Sequence, residues 1–153
     1  MKSKVIKSIV ATLIIAAITT LYLSWLEYRP VVIVADHSYK SLNEVIVLNL
    51  PLTDRGKIRW WLHNKESLTD LYNIPHPDPD GTFEITFWLF GDGYKEEGKY
   101  DRLCFDDMKI KANCIDKNLL LAVSNSRNYG LTFKTDKLMY RLDENGDIVK
   151  FNL

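Results

Sequence analysis

The chain has 153 residues, of which 20 are basic and 20 are acidic. Residues 1–29 contain four of the basic residues and one of the acidic ones, so residues 30–153 carry 16 basic and 19 acidic side chains, a net charge of −3. This is enough chain for one ordinary domain, but its mildly acidic balance lacks the clustered basic surface that a nucleic acid partner requires.

An uncharged run of 19 residues, Ser8 to Leu26, lies near the start of the chain. As a helix that rises about 1.5 Å per residue it would extend roughly 28 Å, close to the ~30 Å hydrocarbon core of a bilayer. Lysines precede the run, and Trp25 and Tyr28 lie at its far end, where aromatic side chains favour the membrane interface. We therefore predict a cytoplasmic N-terminus and transmembrane anchor in residues 1–29, with residues 30–153 forming a domain on the other side.

A cleaved signal peptide is the alternative, because it shares the basic start and the apolar run. Its apolar region, however, is usually only roughly 7–15 residues long and ends near small residues. Here the run is longer, and bulky side chains at Trp25, Leu26 and Tyr28 occupy the expected cleavage region. We therefore expect an anchor that stays attached.

The first part of the outer domain predicts two strands and a helix. Residues 30–35 and 44–50 are β-branched runs typical of strands. Thr53 is the expected N-cap of a helix that ends near Tyr72, whose apolar side chains fall largely on one face. Gly56 weakens the first turn slightly, and three prolines between residues 75 and 79 end the helix.

The second part predicts hairpins. Residues from Phe83 onward alternate apolar and polar, which indicates a strand, and residues 94–100 are predicted as a solvated loop. The sequence Asn145-Gly146 predicts a type I′ turn between the last two strands. Further strands are expected near residues 102–106, 110–115, 119–124, 131–135, 137–142 and 148–152. The fold class is therefore α+β, a mostly antiparallel sheet with one helix packed on one face.

The two cysteines, Cys104 and Cys114, both lie in the exported part, where thiols tend to be oxidised. They form no C-x-x-C motif and have no histidine nearby, so we predict a disulfide rather than a metal or redox site. The turn would fall near Met108, which brings the cysteines opposite each other across a hairpin that presents Asp106 and Asp107. On the loop-entropy account the bridge restricts the unfolded chain by about 2.7 kcal/mol.

No arrangement of residues predicts catalysis, a metal site or a cofactor. The three histidines show no ligand spacing, and we interpret them as surface or loop residues. Residues 78–81 and 143–147 each match only part of a calcium loop and are predicted as turns. Asp106 and Asp107 would point to opposite faces of a strand and could not form a carboxylate pair. We therefore expect that the protein is not an enzyme.

The predicted helix carries the most distinctive residues outside the anchor. Trp61 lies on its apolar face, whereas Trp60 is about 100° away among Arg55, Lys57 and Arg59. Arginine and tryptophan on an exposed face are typical of binding hot spots, so Arg55, Arg59 and Trp60 are the candidate partner-binding residues, with residues 94–100 as a second candidate. Two alternatives remain open: Trp60 is buried against the sheet or a loop, and the arginines pair with acidic residues along the helix.

A family resemblance extends over the whole chain. Its most specific segments are LPLTDRGKIRWWL (50–62), YNIP (72–75), ITFW (85–88) and GDGYKEEGKYDRLCFDD (91–107). They resemble the enterobacterial putative membrane protein family, whose function is unknown. The resemblance implies a small single-pass protein of the bacterial inner membrane, and it implies no catalytic residues. With the orientation predicted from the lysines, residues 30–153 would form a periplasmic domain.

Three classes of function follow. We expect a periplasmic domain that binds another protein, in its most specific form an immunity protein against a delivered toxin, by analogy with other small anchored proteins. The alternative is an envelope accessory or sensing protein that associates with other membrane proteins through its helix. An enzyme comes third, because no site predicts one.

Overall fold

The computed structural model describes residues 2–152 and begins with a long apolar helix, α1, Lys2–Tyr28. Its segment Ser3–Tyr28 is long and apolar enough to cross a membrane, and none of it is buried inside the protein. The hydroxyls of Thr12, Thr19 and Thr20 donate to the carbonyl oxygen four residues earlier, so these polar groups are satisfied within the helix. The predicted N-terminal apolar helix is confirmed.

The rest of the chain contains one more helix and nine strands within the described residues. Helix α2 spans Asp54–Tyr72. The strands are β1 Val32–Tyr39, β2 Leu42–Leu48, β3 Phe83–Leu89, β4 Arg102–Cys104, β5 Cys114–Asp116, β6 Leu119–Ser126, β7 Gly130–Lys134, β8 Met139–Leu142 and β9 Ile148–Phe151.

Seven of the strands form one sheet in the order β1-β2-β3-β6-β7-β8-β9, and β4 pairs with β5 alone. All neighbours are antiparallel except β2 and β3. Those two are parallel because α2 forms the connection between them, and a parallel pair needs such a crossover. The predicted α+β class is confirmed, and the parallel pair is the feature that the strand pattern did not predict.

Helix α2 covers one face of the sheet. Its buried side chains Ile58, Trp61 and Leu68 are spaced three or seven residues apart and therefore lie on one side of the helix. They join a core made of alternate residues from the strands, namely Val45, Val47, Ile85, Phe87, Leu121, Val123 and Phe133. This is the packed helix that the sequence predicts.

Residues 90–118, here called the insert, cover part of the opposite face. Ile46 lies between two residues of the α2-side core and therefore points to the other side of β2. There it is fully buried with Phe105 and Ile115 of the insert. The sheet is thus covered on both faces, by a helix on one and by a mostly irregular segment on the other.

Three local predictions need correction. The expected strands 102–106 and 110–115 shrink to the three-residue strands β4 and β5, because the chain between Phe105 and Asn113 leaves the ladder as a loop. Strand β1 runs on past residue 35 to Tyr39. The turn at residues 143–147 is not type I′, because only Gly146 has a positive φ (83°) and Asn145 does not. The side chain of Asp143 accepts from the amides of Asn145 and Asp147 instead, which favours the wider loop.

Candidate functional site

Helix α2 begins as its sequence predicts. Thr53 has extended backbone angles, and its side-chain oxygen accepts from the amide of Gly56 at 3.0 Å. Asp54 in the first turn suits the positive end of the helix dipole, and its carboxylate also accepts from the hydroxyls of Thr135 (3.0 Å) and Tyr140 (2.9 Å). These contacts fix the start of α2 to the far strands of the sheet.

Trp60 is half-buried rather than displayed on the surface. Its ring meets Phe87 edge-on, with centroids 5.7 Å apart, and it packs against the core between α2 and the sheet. The sequence left open whether Trp60 is exposed for binding or buried against the sheet, and this geometry matches the buried alternative. Trp60 nevertheless keeps one side turned to a surface cleft at the start of α2.

Arg55 and Arg59 are exposed on successive turns of α2. Within residues 2–152, neither has a carboxylate oxygen within 4 Å of its guanidinium nitrogens. Asp54, the nearest acidic residue in the sequence, is instead 3.7 Å from Lys57. Nε of Arg59 donates to the carbonyl oxygen of Arg55 at 3.3 Å.

The end of α1 is fastened to the start of α2 by Glu27. Its Oε2 accepts from the amides of Leu52 (3.0 Å) and Thr53 (3.3 Å), and its Oε1 accepts from the Thr53 hydroxyl (2.6 Å). A Cβ atom on Gly56 would lie 1.8 Å from Oε1, so a larger residue at this position would displace the Glu27 carboxylate. Gly56 therefore makes room for the contact between the two helices.

A cleft of about 310 Å³ opens at this junction. It brings Arg59 and Trp60 of the predicted set together with residues from the end of α1, whereas Arg55 lies outside it. Its lining also includes Glu27, Tyr28, Arg29 and His63. The ring Nδ1 of His63 lies 2.7 Å from the carbonyl oxygen of Arg59, and since a carbonyl only accepts, Nδ1 is the donor.

On the other face, Cys104 and Cys114 pair across β4 and β5. They are direct neighbours in the antiparallel register, and their sulfur atoms are 2.13 Å apart, as in a disulfide. The geometry therefore agrees with the predicted bridge. Asp106 and Asp107 lie in the loop that it closes.

His37, in β1, connects the insert to the sheet. Its Nδ1 is 2.7 Å from a carboxylate oxygen of Asp107, its Nε2 is 3.0 Å from the hydroxyl of Tyr94, and its ring stacks on Phe105 with centroids 3.9 Å apart. Only 9% of the side chain is exposed, so the interpretation of this histidine as a surface or loop residue is wrong. His63 is an exposed helix residue, and His76 is half-buried in the loop before β3.

The geometry of this cluster determines which atom donates in each hydrogen bond. A carboxylate only accepts, so Nδ1 of His37 donates to Asp107 and Nε2 can accept from Tyr94. Burial and the charge of Asp107 raise the pKa of Tyr94, which keeps its proton on the donor. Desolvation alone would raise the pKa of Asp107, but the hydrogen bond and charge of His37, together with nearby backbone amides, outweigh it and hold that pKa below its ordinary value.

Glu44 lies beside His37 in the register of β1 and β2 and is partly buried under the insert. Its carboxylate accepts a hydrogen bond from the indole nitrogen of Trp88. Burial raises the pKa of Glu44, the Trp88 hydrogen bond opposes this, and the charge of Glu84 adds to the rise. Glu44 is thus an acidic group held in surroundings that disfavour its charge.

Within the described part of the chain, no three metal-ligating side chains come together. Both predicted turns with calcium-like sequences use their carboxylates locally. Asp80 accepts from the amide and the hydroxyl of Thr82 and is 2.6 Å from Arg127, contacts that lower its pKa to about 2. Asp143 is occupied by the backbone of its own loop.

The family model described as enterobacterial putative membrane protein (DUF943) matches residues 2–152. The chain belongs to this family. No curated protein and no solved structure matches the chain at a significant level. Membership confirms the resemblance inferred from the sequence motifs, and it agrees with the apolar helix α1 in assigning a membrane protein.

Two features of this enterobacterial membrane protein were not predictable from local spacing. The His37 cluster joins residues that are 57 and 70 positions apart, so no short motif connects them. The Glu27 contact joins α1 to a segment 25 residues later. The one sequence signal for the second is Gly56, a glycine in a first helical turn where other residues are favoured.

Proposed function

We propose that this chain is a single-pass protein of the bacterial inner membrane, with its N-terminus in the cytoplasm and a periplasmic domain that binds another protein. The orientation rests on the lysines that precede the apolar run and on the positive-inside rule. The disulfide geometry of Cys104 and Cys114 supports an oxidising compartment for the domain. Alkaline phosphatase fused after Leu153 should be active, and an inactive fusion would reverse the orientation.

The observation that carries the binding proposal is the pair of exposed arginines on α2. Arg55 and Arg59 have no acidic partner within residues 2–152, although the domain carries more acidic than basic residues. Arginine offers a planar set of donors that matches carboxylates, and unpaired arginines on one face suit an acidic partner surface. The proposed contact face is this side of α2, with the half-buried Trp60 beneath it.

The His37 cluster has a structural role in this proposal. Its ring joins Asp107 and Tyr94 of the insert to β1 and stacks on Phe105. The cluster therefore holds the insert against the sheet, and the proposed binding surface is the exposed side of α2.

A photo-crosslinking residue at Glu66 tests the contact face in cells. Glu66 is exposed, lies seven residues after Arg59 on the same side of α2, and leaves both arginines intact. The control probe replaces Lys134, which is exposed on β7 next to the buried Phe133 and so points to the opposite face of the sheet. We expect a crosslinked protein from position 66 and none from position 134.

Substitution then tests the arginines. The double variant Arg55→Ala, Arg59→Ala should reduce the crosslinked product about tenfold or more, as expected when a hot spot is lost. Lys65→Ala, a charge removed from another side of the same helix, should change it little. Unchanged crosslinking in the double variant, with the fold intact, would place the interface elsewhere.

The partner decides between the two forms of the proposal. A captured toxin, or a toxin-delivery gene beside this one, supports an immunity protein. A captured envelope protein supports the accessory or sensing role, which is favoured by the exposed apolar surface of α1.

A further inference from the structure

The cleft at the junction of α1 and α2 has an unbalanced set of charges. Among the described residues that line it, the acidic side chain is Glu27, whose carboxylate already accepts from the amides of Leu52 and Thr53 and from the Thr53 hydroxyl. Within residues 2–152, no carboxylate lies within 4 Å of the guanidinium nitrogens of Arg29 or Arg59. The cleft therefore presents two arginines whose charge the described protein does not neutralise.

Arg29 adds a second, independent observation. Its Nε is buried and has no hydrogen-bond partner among the described residues, and a buried donor left unpaired is costly unless a ligand or water satisfies it. Its guanidinium lies over the ring of Trp25, 5.8 Å from the centroid, so the side chain is held in place beside the cleft.

The position of the cleft relative to the membrane indicates the chemistry of its ligand. The uncharged run ends at Leu26, and Arg29 follows one helical turn later. If α1 crosses the bilayer, this position falls in the headgroup layer, where phosphates lie next to the hydrocarbon core. This holds for either orientation of α1, so the argument does not depend on the proposed periplasmic location or on a protein partner.

We propose that the cleft binds the phosphate group of an anionic phospholipid, with Arg29 and Arg59 as the donors. Arginine matches phosphate oxygens with two parallel hydrogen bonds. An anionic headgroup is favoured over a zwitterionic one because the acidic group among the described lining residues, Glu27, is already hydrogen-bonded to the start of α2 and is not turned to an ammonium group. The amides at the start of α2 take no part, since Glu27 already occupies them.

Native mass spectrometry of the full-length protein in detergent tests this directly. The protein is titrated with phosphatidylglycerol or with phosphatidylcholine of the same acyl chains. We expect phosphatidylglycerol to bind more tightly, and Arg29→Gln to weaken its binding about tenfold, the loss expected for a hydrogen bond to a charged group. Arg29 is the decisive position because Arg59 also belongs to the proposed protein-binding face.

Two further variants keep the test clear. Lys65→Gln removes a positive charge from α2 outside the cleft and should leave lipid binding unchanged. Arg59→Lys retains the charge and should bind more tightly than Arg59→Gln, which separates a ligand contact from a folding defect. Equal binding of the two lipids, or equal binding by Arg29→Gln and the native protein, would overturn the proposal. Displacement of the lipid by excess inorganic phosphate would overturn the lipid assignment in favour of a soluble phosphate ligand.

Discussion

The two faces of the central sheet are covered by different means. Helix α2 packs on one face through apolar side chains such as Ile58 and Trp61, which meet the large fully buried rings of the strands. The insert covers the other face with few buried apolar residues, chiefly Phe105 and Ile115, and adds a disulfide and the His37 cluster. One face is therefore held by hydrophobic burial and the other by cross-links and polar contacts.

The difference teaches how a short irregular segment can be fixed in place. A segment with little apolar surface cannot offset the entropy of ordering its chain by burial alone. A disulfide lowers that entropy in the unfolded state, and buried hydrogen bonds specify one arrangement. We therefore expect the sheet and α2 to form the stable unit and the insert to be the part that opens first.

The largest expected effect is on the α2 side. Phe87 is fully buried beneath Trp60, and Phe87→Ala should lower the free energy of unfolding by about 3–5 kcal/mol. Urea unfolding of the full-length protein in detergent measures this loss. Phe90→Ala, which truncates a half-buried ring on the insert side, is the matched control and should cost clearly less. Equal losses would contradict the contrast between the faces.

The next effect is on the insert side. Replacing both Cys104 and Cys114 by alanine should lower the free energy of unfolding by about 2.7 kcal/mol, the loop-entropy value for this spacing. Hydrogen exchange should speed up in residues 90–118 and stay slow in α2. Faster exchange throughout α2 would show that the disulfide supports the whole fold rather than the insert.

The contrast between the two faces also explains which parts of the fold could be predicted from the sequence. Helix α2 and most strands follow from local periodicity, capping at Thr53 and proline positions, because burial on one face imposes a period on the chain. The path of the insert depends on His37, Asp107 and Tyr94 meeting across more than fifty residues, and no local pattern encodes that. Of the predicted set, Arg59 and Trp60 line the cleft and Arg55 does not. The contribution of Arg29 and Glu27 depends on the packing of α1 against α2, which no local pattern indicates.

A smaller effect is expected from the polar cluster itself. His37→Phe keeps an aromatic ring on Phe105 but loses the hydrogen bonds with Asp107 and Tyr94, which should cost about 1–2 kcal/mol. Tyr94→Phe removes only one of the bonds and should cost less. If the two variants lose the same stability, Asp107 contributes nothing.

The cluster also predicts a pH dependence. The pKa of Asp107 is lowered in the folded state, so its stabilising contribution is present above its unfolded pKa of about 3.9 and is lost as the pH falls through the lower folded value. Unfolding curves recorded below about pH 4 should show this loss in the native protein. The loss should be smaller in His37→Phe, where the hydrogen bond and charge of His37 are gone and only the backbone amides still lower the pKa of Asp107.

The smallest expected effect comes from Glu44, whose replacement should raise the free energy of unfolding, whereas the variants above should lower it. The pKa of Glu44 is raised in the folded state. Between the unfolded value of about 4.3 and this raised value, the folded protein binds more protons than the unfolded chain. The free energy of unfolding therefore falls as the pH rises through this range.

Glu44→Gln removes the charge, and an amide oxygen can still accept from Trp88. We expect this variant to be more stable at pH 7 by no more than about 0.5 kcal/mol, and equally stable below pH 4. Glu66→Gln, on the exposed side of α2 and so across the sheet from Glu44, is the control for removal of a negative charge. If Glu44→Gln destabilises the protein at pH 7, the charged carboxylate makes a favourable contact under the insert. Polar contacts would then stabilise the insert-covered face of the sheet more strongly than the contrast between the two faces implies.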